Sequence, residues 1–156
     1  MDTPPPVASQ RLRVASSLDR LEEVLAWFAR LRHPPLPEML WVQGETALVE
    51  AFSNAVRHAH GPLADPPPVE LEAWLGEAEF GLVISDHGPP FDLRQALDDL
   101  QGLVDSPDFD PLERGEHWGL IFLLRLRDEH GWSIGLERTR EGRNRLRVSH
   151  PLGTAS

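Results

Sequence analysis

The chain has 156 residues, no cysteine and a formal net charge of −10 at neutral pH. This length fits one domain with a substantial core, and the lack of cysteine excludes disulfides and thiolate metal sites. The negative charge argues against direct nucleic-acid binding through bulk electrostatics. Because no segment reads as a signal peptide or as an apolar bilayer span, we expect a cytoplasmic protein without membrane contact.

The basic residues are unusual, since all 15 are arginine and the chain has no lysine. A Walker A phosphate loop needs its lysine, and so does the third strand of an ordinary protein kinase. Both mechanisms are therefore excluded. If the chain handles ATP, it does so by another route.

Apolar periodicity, prolines and glycines divide the chain into predicted elements. They are a strand at residues 11–14, helices at about 17–31 and 41–61, a hairpin at 69–74 and 79–85, a lid-like segment at 93–116, a helix at 117–127, and a hairpin at 132–138 and 143–150. We expect one domain over residues 11–150, with flexible tails at 1–10 and 151–156. Helices on one face of a mixed, mainly antiparallel sheet make an α+β, two-layer α/β sandwich.

The predicted lid at residues 93–116 is acidic. Counting Asp92, it carries eight acidic residues against Arg94 and Arg114. A long, weakly structured insert in a compact domain is usually a lid or a disordered segment. We therefore expect this segment to be the most mobile internal part of the chain.

The predicted helix at 41–61 carries a polar strip beside its apolar stripe. Glu50, Asn54 and His58 follow each other at i, i+4 and i+8, so they stack along one side of an α-helix. Carboxylate and amide oxygens are suitable ligands for Mg²⁺, which commonly also binds phosphate oxygens. The same pattern also fits a solvated polar face, so this helix does not decide between the two interpretations.

The second strand of the first hairpin runs into the segment DHGPPFD at residues 86–92. An aspartate that ends a buried strand can hold its carboxylate at the floor of a pocket. The alternative is an ordinary turn, because Asp, Gly and Pro are the residues that turns use.

Three separated motifs occur in the order known from one superfamily. EAFSNAVRH at 50–58, DHGPPFD at 86–92 and WGLIFLLRLRDE at 118–129 resemble the N, G1 and G2 boxes of the GHKL (Bergerat) ATP-binding fold. A short chain with ExxxNxxxH and DxGxPFD further resembles the bacterial anti-sigma factor serine/threonine kinases, the switch kinases of partner-switching modules. The resemblance covers roughly residues 11–150.

The resemblance implies roles for the first two boxes. Asn54 would coordinate Mg²⁺ bridging the ATP phosphates, and Asp86 would accept a hydrogen bond from the adenine amino group. Gly88 would let the backbone approach the base. Glu50 would act as general base on the hydroxyl of a protein substrate, and His58 would be structural.

The third box departs from the family pattern. Members usually begin the last helix with Gly-Leu-Gly or Gly-Met-Gly, whose amides cradle phosphates, whereas this chain has His117, Trp118 and Gly119. The resemblance still assigns Gly119 to the ATP site, together with a lid arginine, Arg114. Asn144 is the nearest polar substitute for the late Gly-Thr-Thr of many relatives.

The function implied is that of an anti-sigma factor that binds ATP and Mg²⁺ and sequesters a sigma factor. It would phosphorylate a serine of an anti-anti-sigma protein with a STAS domain and, as in many relatives, form a homodimer. The altered third box leaves open a GHKL module that binds ATP and partners without phosphoryl transfer. A third alternative is the ATPase domain of a sensor kinase, which the lack of upstream dimerisation helices disfavours.

Overall fold

A computed structural model describes residues 8–34, 36–105, 107 and 118–153. In these ranges five strands form one antiparallel sheet in the order β1-β2-β3-β5-β4. The strands are β1 (Ala8–Val14), β2 (Val69–Leu75), β3 (Glu79–Asp86), β4 (Ser133–Arg138) and β5 (Asn144–Pro151). The α-helices are α1 (Leu21–Phe28), α2 (Glu38–Asn54), α3 (Leu93–Val104) and α4 (Trp118–His130). The predicted α+β sandwich is confirmed, and every strand pair in it is antiparallel.

The first helical segment begins where a serine can cap it. The Ser17 side chain accepts a hydrogen bond from the Asp19 backbone N–H at 3.2 Å, which satisfies one of the free donors of a helix start. Short 3₁₀ segments at Leu18–Arg20 and Ala29–Leu31 flank α1. Pro37 occupies the N-cap of α2 with an extended backbone, and α2 begins at the next residue.

Alternating side chains along the sheet separate the core from a charged outer face. In β2 every second residue from Val69 to Leu75 is buried, and the residues between them are half-buried. On the outer face Glu72 pairs with Arg145 at 3.0 Å and with Arg11 at 3.1 Å. The apolar face therefore packs against the helices, and the charged face carries no helix among the described residues.

An aromatic cluster fills the centre of the core. The rings of Phe28 and Trp41 stack with centroids 4.7 Å apart, and Phe28 lies 5.8 Å from Phe80. Trp132 meets Phe80 edge to face at 6.1 Å. These contacts join α1 and α2 to β3 and to the start of β4. They therefore fix on the sheet the organising helix, which consists of α2 and its continuation to Ala59.

The predicted lid is wrong for residues 93–104, which form α3. Leu93, Leu97 and Leu100 are buried in a small apolar cluster with Ile121 and Leu124 of α4. Their spacing is helical, and their burial offsets the entropy cost of ordering this acidic segment. Residues 106 and 108–116 lie outside the described residues.

Part of each expected flexible tail is ordered, and residues 1–7 and 154–156 lie outside the described residues. Residues 8–10 belong to β1, and Pro151 ends β5. Leu152 donates its backbone N–H to the carbonyl of Ala78 at 2.8 Å, which ties it to the β2–β3 turn. No helix in the described ranges is both long enough and apolar enough to pass through a membrane.

The organising helix changes its winding directly after Asn54. Residues Ala55–Ala59 form a π-helical turn, closed by a 2.8 Å hydrogen bond from the His60 N–H to the Ala55 carbonyl. The α-helical spacing predicted over residues 41–61 therefore holds only as far as Asn54. Such turns are rare and occur frequently at functional sites.

Candidate nucleotide site

A cavity of about 330 Å³ lies between the end of α2, the sheet and α4. Its volume falls at the lower end of the range usual for small-molecule sites. Most of its wall is apolar, with few polar side chains. Among the described residues the polar ones are Asn54, His58, Asp86 and Asn144.

Asp86 is the last residue of β3, as the sequence predicted for a carboxylate at a pocket floor. Its Oδ1 accepts hydrogen bonds from the Gly88 backbone N–H at 2.9 Å and from Asn144 Nδ2 at 3.0 Å. Both bonds use the same oxygen. The carboxylate is therefore fixed in orientation, while Oδ2 accepts no hydrogen bond from another described residue and has capacity for one.

Asn144 is buried, and its side chain holds the turn that follows β3. Nδ2 also donates to the carbonyl of Pro89 at 3.0 Å, and Oδ1 accepts from Arg138 Nη1 at 3.1 Å. The same Arg138 nitrogen donates to the carbonyl of Gly88 at 2.8 Å. Asn144 therefore lines the cavity, but its polar groups are already engaged in positioning Asp86 and its turn.

Gly88 is required by the close approach of this turn to the organising helix. A Cβ at this position would lie 2.7 Å from the Ala59 Cβ and 3.0 Å from the Ala59 carbonyl oxygen. Backbone atoms cannot move aside cheaply, so only glycine fits without a shift. The expectation for Gly88 was an approach to the base, and the structure adds this packing reason.

His60 was not predicted, and it links three parts of the site. It is buried, its Nδ1 lies 3.0 Å from Ser16 Oγ, and its Nε2 accepts from the backbone N–H of His87 at 2.9 Å. Since Nε2 accepts, Nδ1 carries the proton. Burial lowers the pKa of His60, with His87 acting in the same direction and Asp86 opposing it, so the neutral ring is favoured.

The remaining predicted residues fall in different places. Glu50 is half-buried one helical turn before Asn54, and it does not line the cavity. His58 is exposed and does line it. Gly119 lies in the first turn of α4, whereas Arg114 and His117 lie outside the described residues.

Two contributors were missed by sequence reasoning. Arg138 ends β4 and is paired in register with Asn144, a relation that depends on hairpin register and carries no motif. His60 sits next to the ExxxNxxxH motif, and the π-helical turn that buries it has no local sequence signal.

Comparisons with known proteins concern the family and the fold that carry this site. Residues 14–149 match the family described as the histidine kinase-like ATPase domain. One similar solved structure is the SiaB–SiaC complex from Pseudomonas aeruginosa, with a TM-score of 0.57 and 12% identity over 92% of this chain and 89% of that one. At this identity the likeness concerns the fold. A comparison with curated protein sequences gave no match.

The chain thus belongs to the histidine kinase-like ATPase domain family; the match runs from the end of β1 into β5 and includes every helix described above. Membership implies ATP binding. The cavity fits this expectation, because it combines apolar walls with a fixed carboxylate at one end and the amide of Asn54 at the end of α2.

Proposed function

We propose that the protein is an ATP- and Mg²⁺-dependent serine kinase of the switch type and an anti-sigma factor. One observation carries this proposal: Asn54 and Asp86, which belong to separate sequence motifs, line the same cavity. If Asn54 belonged only to a solvated helix face and Asp86 only to an ordinary turn, we would not expect both side chains to line one cavity.

At the floor of the cavity, Asp86 would receive the adenine amino group on Oδ2. Gly88 and Asn144 hold Oδ1, so the free oxygen has a defined direction. The apolar side chains of Ala55, Ile84 and Leu146 line the same cavity and offer flat surfaces to a base. Recognition by a few placed polar groups within an apolar wall is usual for such ligands.

At the end of α2, Asn54 would hold Mg²⁺, which supplies charge neutralisation for the phosphates when bound. Gly119 and Arg114 would contact the phosphates from the start of α4 and from the preceding segment. Glu50 would take the proton of a serine hydroxyl as its oxygen bonds to the γ-phosphorus, with ADP as the leaving group. A base that serves a protein substrate belongs at the mouth of the cavity, which suits the position of Glu50 outside its lining.

The proposed protein partners are a sigma factor and a STAS-domain anti-anti-sigma protein. A similar fold occurs in the SiaB–SiaC complex, which is itself an assembly of two proteins. Competition of the two partners for one surface would make phosphorylation decide which of them is bound, and a homodimer would present that surface twice.

The second candidate is an ATP-binding regulatory module without phosphoryl transfer. The third box favours it, because His117 and Trp118 stand where relatives have glycine and leucine or methionine. The two candidates share the cavity and differ only in the chemistry at its mouth.

The test is to measure ATP–Mg²⁺ affinity and single-turnover transfer to the cognate STAS protein for the native chain and for Asn54→Ala. We expect the substitution to weaken both, because lost metal coordination leaves phosphate charge uncompensated. The matched control is Ser53→Ala, one residue away and absent from the cavity lining. Binding without transfer by the native chain would select the second candidate, and failure to bind ATP would refute both.

A further inference from the structure

A second, wider cleft of about 770 Å³ lies on the far side of the turn that follows β3. Residues 90–92, α3, α4 and β4 form its walls, and Pro90, Phe91, Leu93 and Leu136 line both this cleft and the cavity. The two spaces are therefore separated by a single layer of side chains.

The cleft collects positive charge in an acidic protein. Among the described residues its lining includes Arg94, Arg127 and Arg138, against one acidic side chain, Asp92. The chain as a whole has 25 acidic residues against 15 arginines, so this local excess is the reverse of the overall balance. Arg127 pairs through Nε with Asp128 at 2.9 Å, a contact that leaves its terminal nitrogens able to donate.

The same cleft offers apolar contacts and a strand edge. Phe91 is 48% exposed, and Ile134 and Leu136 of β4 are half-buried. Within the described residues β4 has β5 as its only neighbour. Thr139 donates its backbone N–H to the Arg143 carbonyl, and along β4 every second residue from Thr139 is therefore hydrogen-bonded to β5. Ile134 and Leu136 lie at the positions between, so their backbone N–H and C=O groups point towards the open edge.

Arg138 connects the cleft to the residues that hold Asp86 at the cavity. It lines the cleft, and its Nη1 donates to the Gly88 carbonyl at 2.8 Å and to Asn144 Oδ1 at 3.1 Å. Those two acceptors lie in the network that orients Asp86. A carboxylate in the cleft that binds the other guanidinium nitrogens and draws Arg138 towards itself would weaken these two bonds.

We propose that this cleft binds an extended acidic peptide segment, with apolar side chains between its carboxylates, from a protein partner, and that its occupancy weakens nucleotide binding through Arg138. The arginines select the carboxylates, Phe91 and the β4 side chains receive the apolar residues, and the edge of β4 selects an extended backbone. A small anion would use only the first of these features. The coupling rests on the proposed nucleotide site, whereas the peptide site does not.

The test uses the full chain and a fluorescein-labelled peptide, Glu-Leu-Asp-Phe-Glu-Leu, with Gln-Leu-Asn-Phe-Gln-Leu as its uncharged counterpart. Fluorescence polarisation without nucleotide should show binding of the acidic peptide that weakens as salt rises. Arg94→Gln combined with Arg127→Gln should weaken it by about tenfold or more, the effect of losing charge-assisted hydrogen bonds. The control Arg13→Gln with Arg30→Gln changes net charge equally at exposed positions outside the cleft and should change affinity by about twofold at most.

The coupling is measured as ATP affinity with and without saturating peptide. We expect about fivefold weaker ATP binding in the native chain, with the same factor acting in reverse on the peptide. Arg138→Gln should abolish this factor while the peptide still binds. Equal binding of the uncharged peptide, or equal loss in the control, would overturn the site. Peptide binding with unchanged ATP affinity would overturn the coupling, and absence of ATP binding without peptide would count against the proposed function alone.

Discussion

Asp86 and Glu50 are the two carboxylates that the motifs assign to the site, and their surroundings differ. Asp86 is held through one oxygen by Gly88 and Asn144, and Asn144 is held in turn by Arg138. Glu50 is half-buried on α2 and makes no side-chain hydrogen bond to another described residue. A carboxylate that recognises a ligand gains from being fixed, because pre-organisation lowers the cost of binding. A carboxylate that accepts a proton from a docking protein needs access instead.

The largest effect should come from separating these two roles. Glu50→Gln should lower single-turnover phosphoryl transfer by about 10²-fold or more, the usual range for a lost general base, with ATP affinity within a few-fold of native. Asp86→Asn should mainly weaken ATP affinity and have a smaller effect on the rate of transfer, because it replaces a charged acceptor that lines the cavity. Isothermal titration and a single-turnover assay on both variants make the comparison.

Two outcomes would break this assignment. If Glu50→Gln loses ATP binding as severely as Asn54→Ala, Glu50 belongs to the metal site or to the structure. If it phosphorylates the STAS partner at the native rate, Glu50 is not the base.

The next effect concerns the support of Asp86. Asn144→Asp keeps the shape of the side chain but removes the Nδ2 donor to Asp86 and Pro89 and places a second carboxylate beside the first. We expect the free energy of unfolding to fall by about 1–3 kcal/mol, the cost of buried acceptors left unsatisfied, and nucleotide affinity to fall with it. Urea unfolding measures the first effect, and titration with ATP measures the second.

Thr139→Val is the matched control. It removes the hydrogen bond from the Arg143 N–H to the Thr139 hydroxyl in the same hairpin, and this bond does not involve Asp86. Native stability of Asn144→Asp would show that the network does not hold the turn. Equal loss of affinity in both variants would assign the effect to the hairpin as a whole.

The sequence predicted the elements whose patterns are local. Short strand-like runs joined by turns near residues 76–78 and 141–142 predicted both hairpins, and an aspartate followed by Gly and Pro predicted Asp86 at the end of β3. The acidic composition of residues 93–116 concealed α3, although Leu93, Leu97 and Leu100 stand at helical spacing. The acidic composition favours a loop, whereas the leucine periodicity favours a helix. Burial of the leucines against α4 stabilises the helix.

The rest of the site depends on contacts between distant segments. Arg138 and Asn144 meet because of hairpin register, and Gly88 meets Ala59 because the turn packs on the helix. The π-helical turn sets which of His58 and His60 faces the cavity. Each of these follows from tertiary packing, for which a single sequence has no motif.

The smallest expected effect is a pH dependence of the free energy of unfolding that arises from His60, next to the turn that carries Asp86. His60 accepts the backbone N–H of His87, the residue after Asp86, and burial lowers its pKa below the ordinary value of 6.5. The unfolded chain then binds a proton at higher pH than the folded chain does. This contribution to stability is complete above pH 6.5 and is lost as the pH falls towards the lowered value, with a slope of at most about 1.4 kcal/mol per pH unit.

Urea unfolding of the native chain and of His60→Gln between neutral and mildly acidic pH measures this slope. The substitution removes the titrating ring, so the native chain should lose more stability over this range than the variant does, whatever their stabilities at neutral pH. Ser53→Ala, which removes no titrating group, is the control and should keep the native slope over the same range. Parallel curves for the native chain and His60→Gln would show that His60 does not link protonation to the turn that carries Asp86.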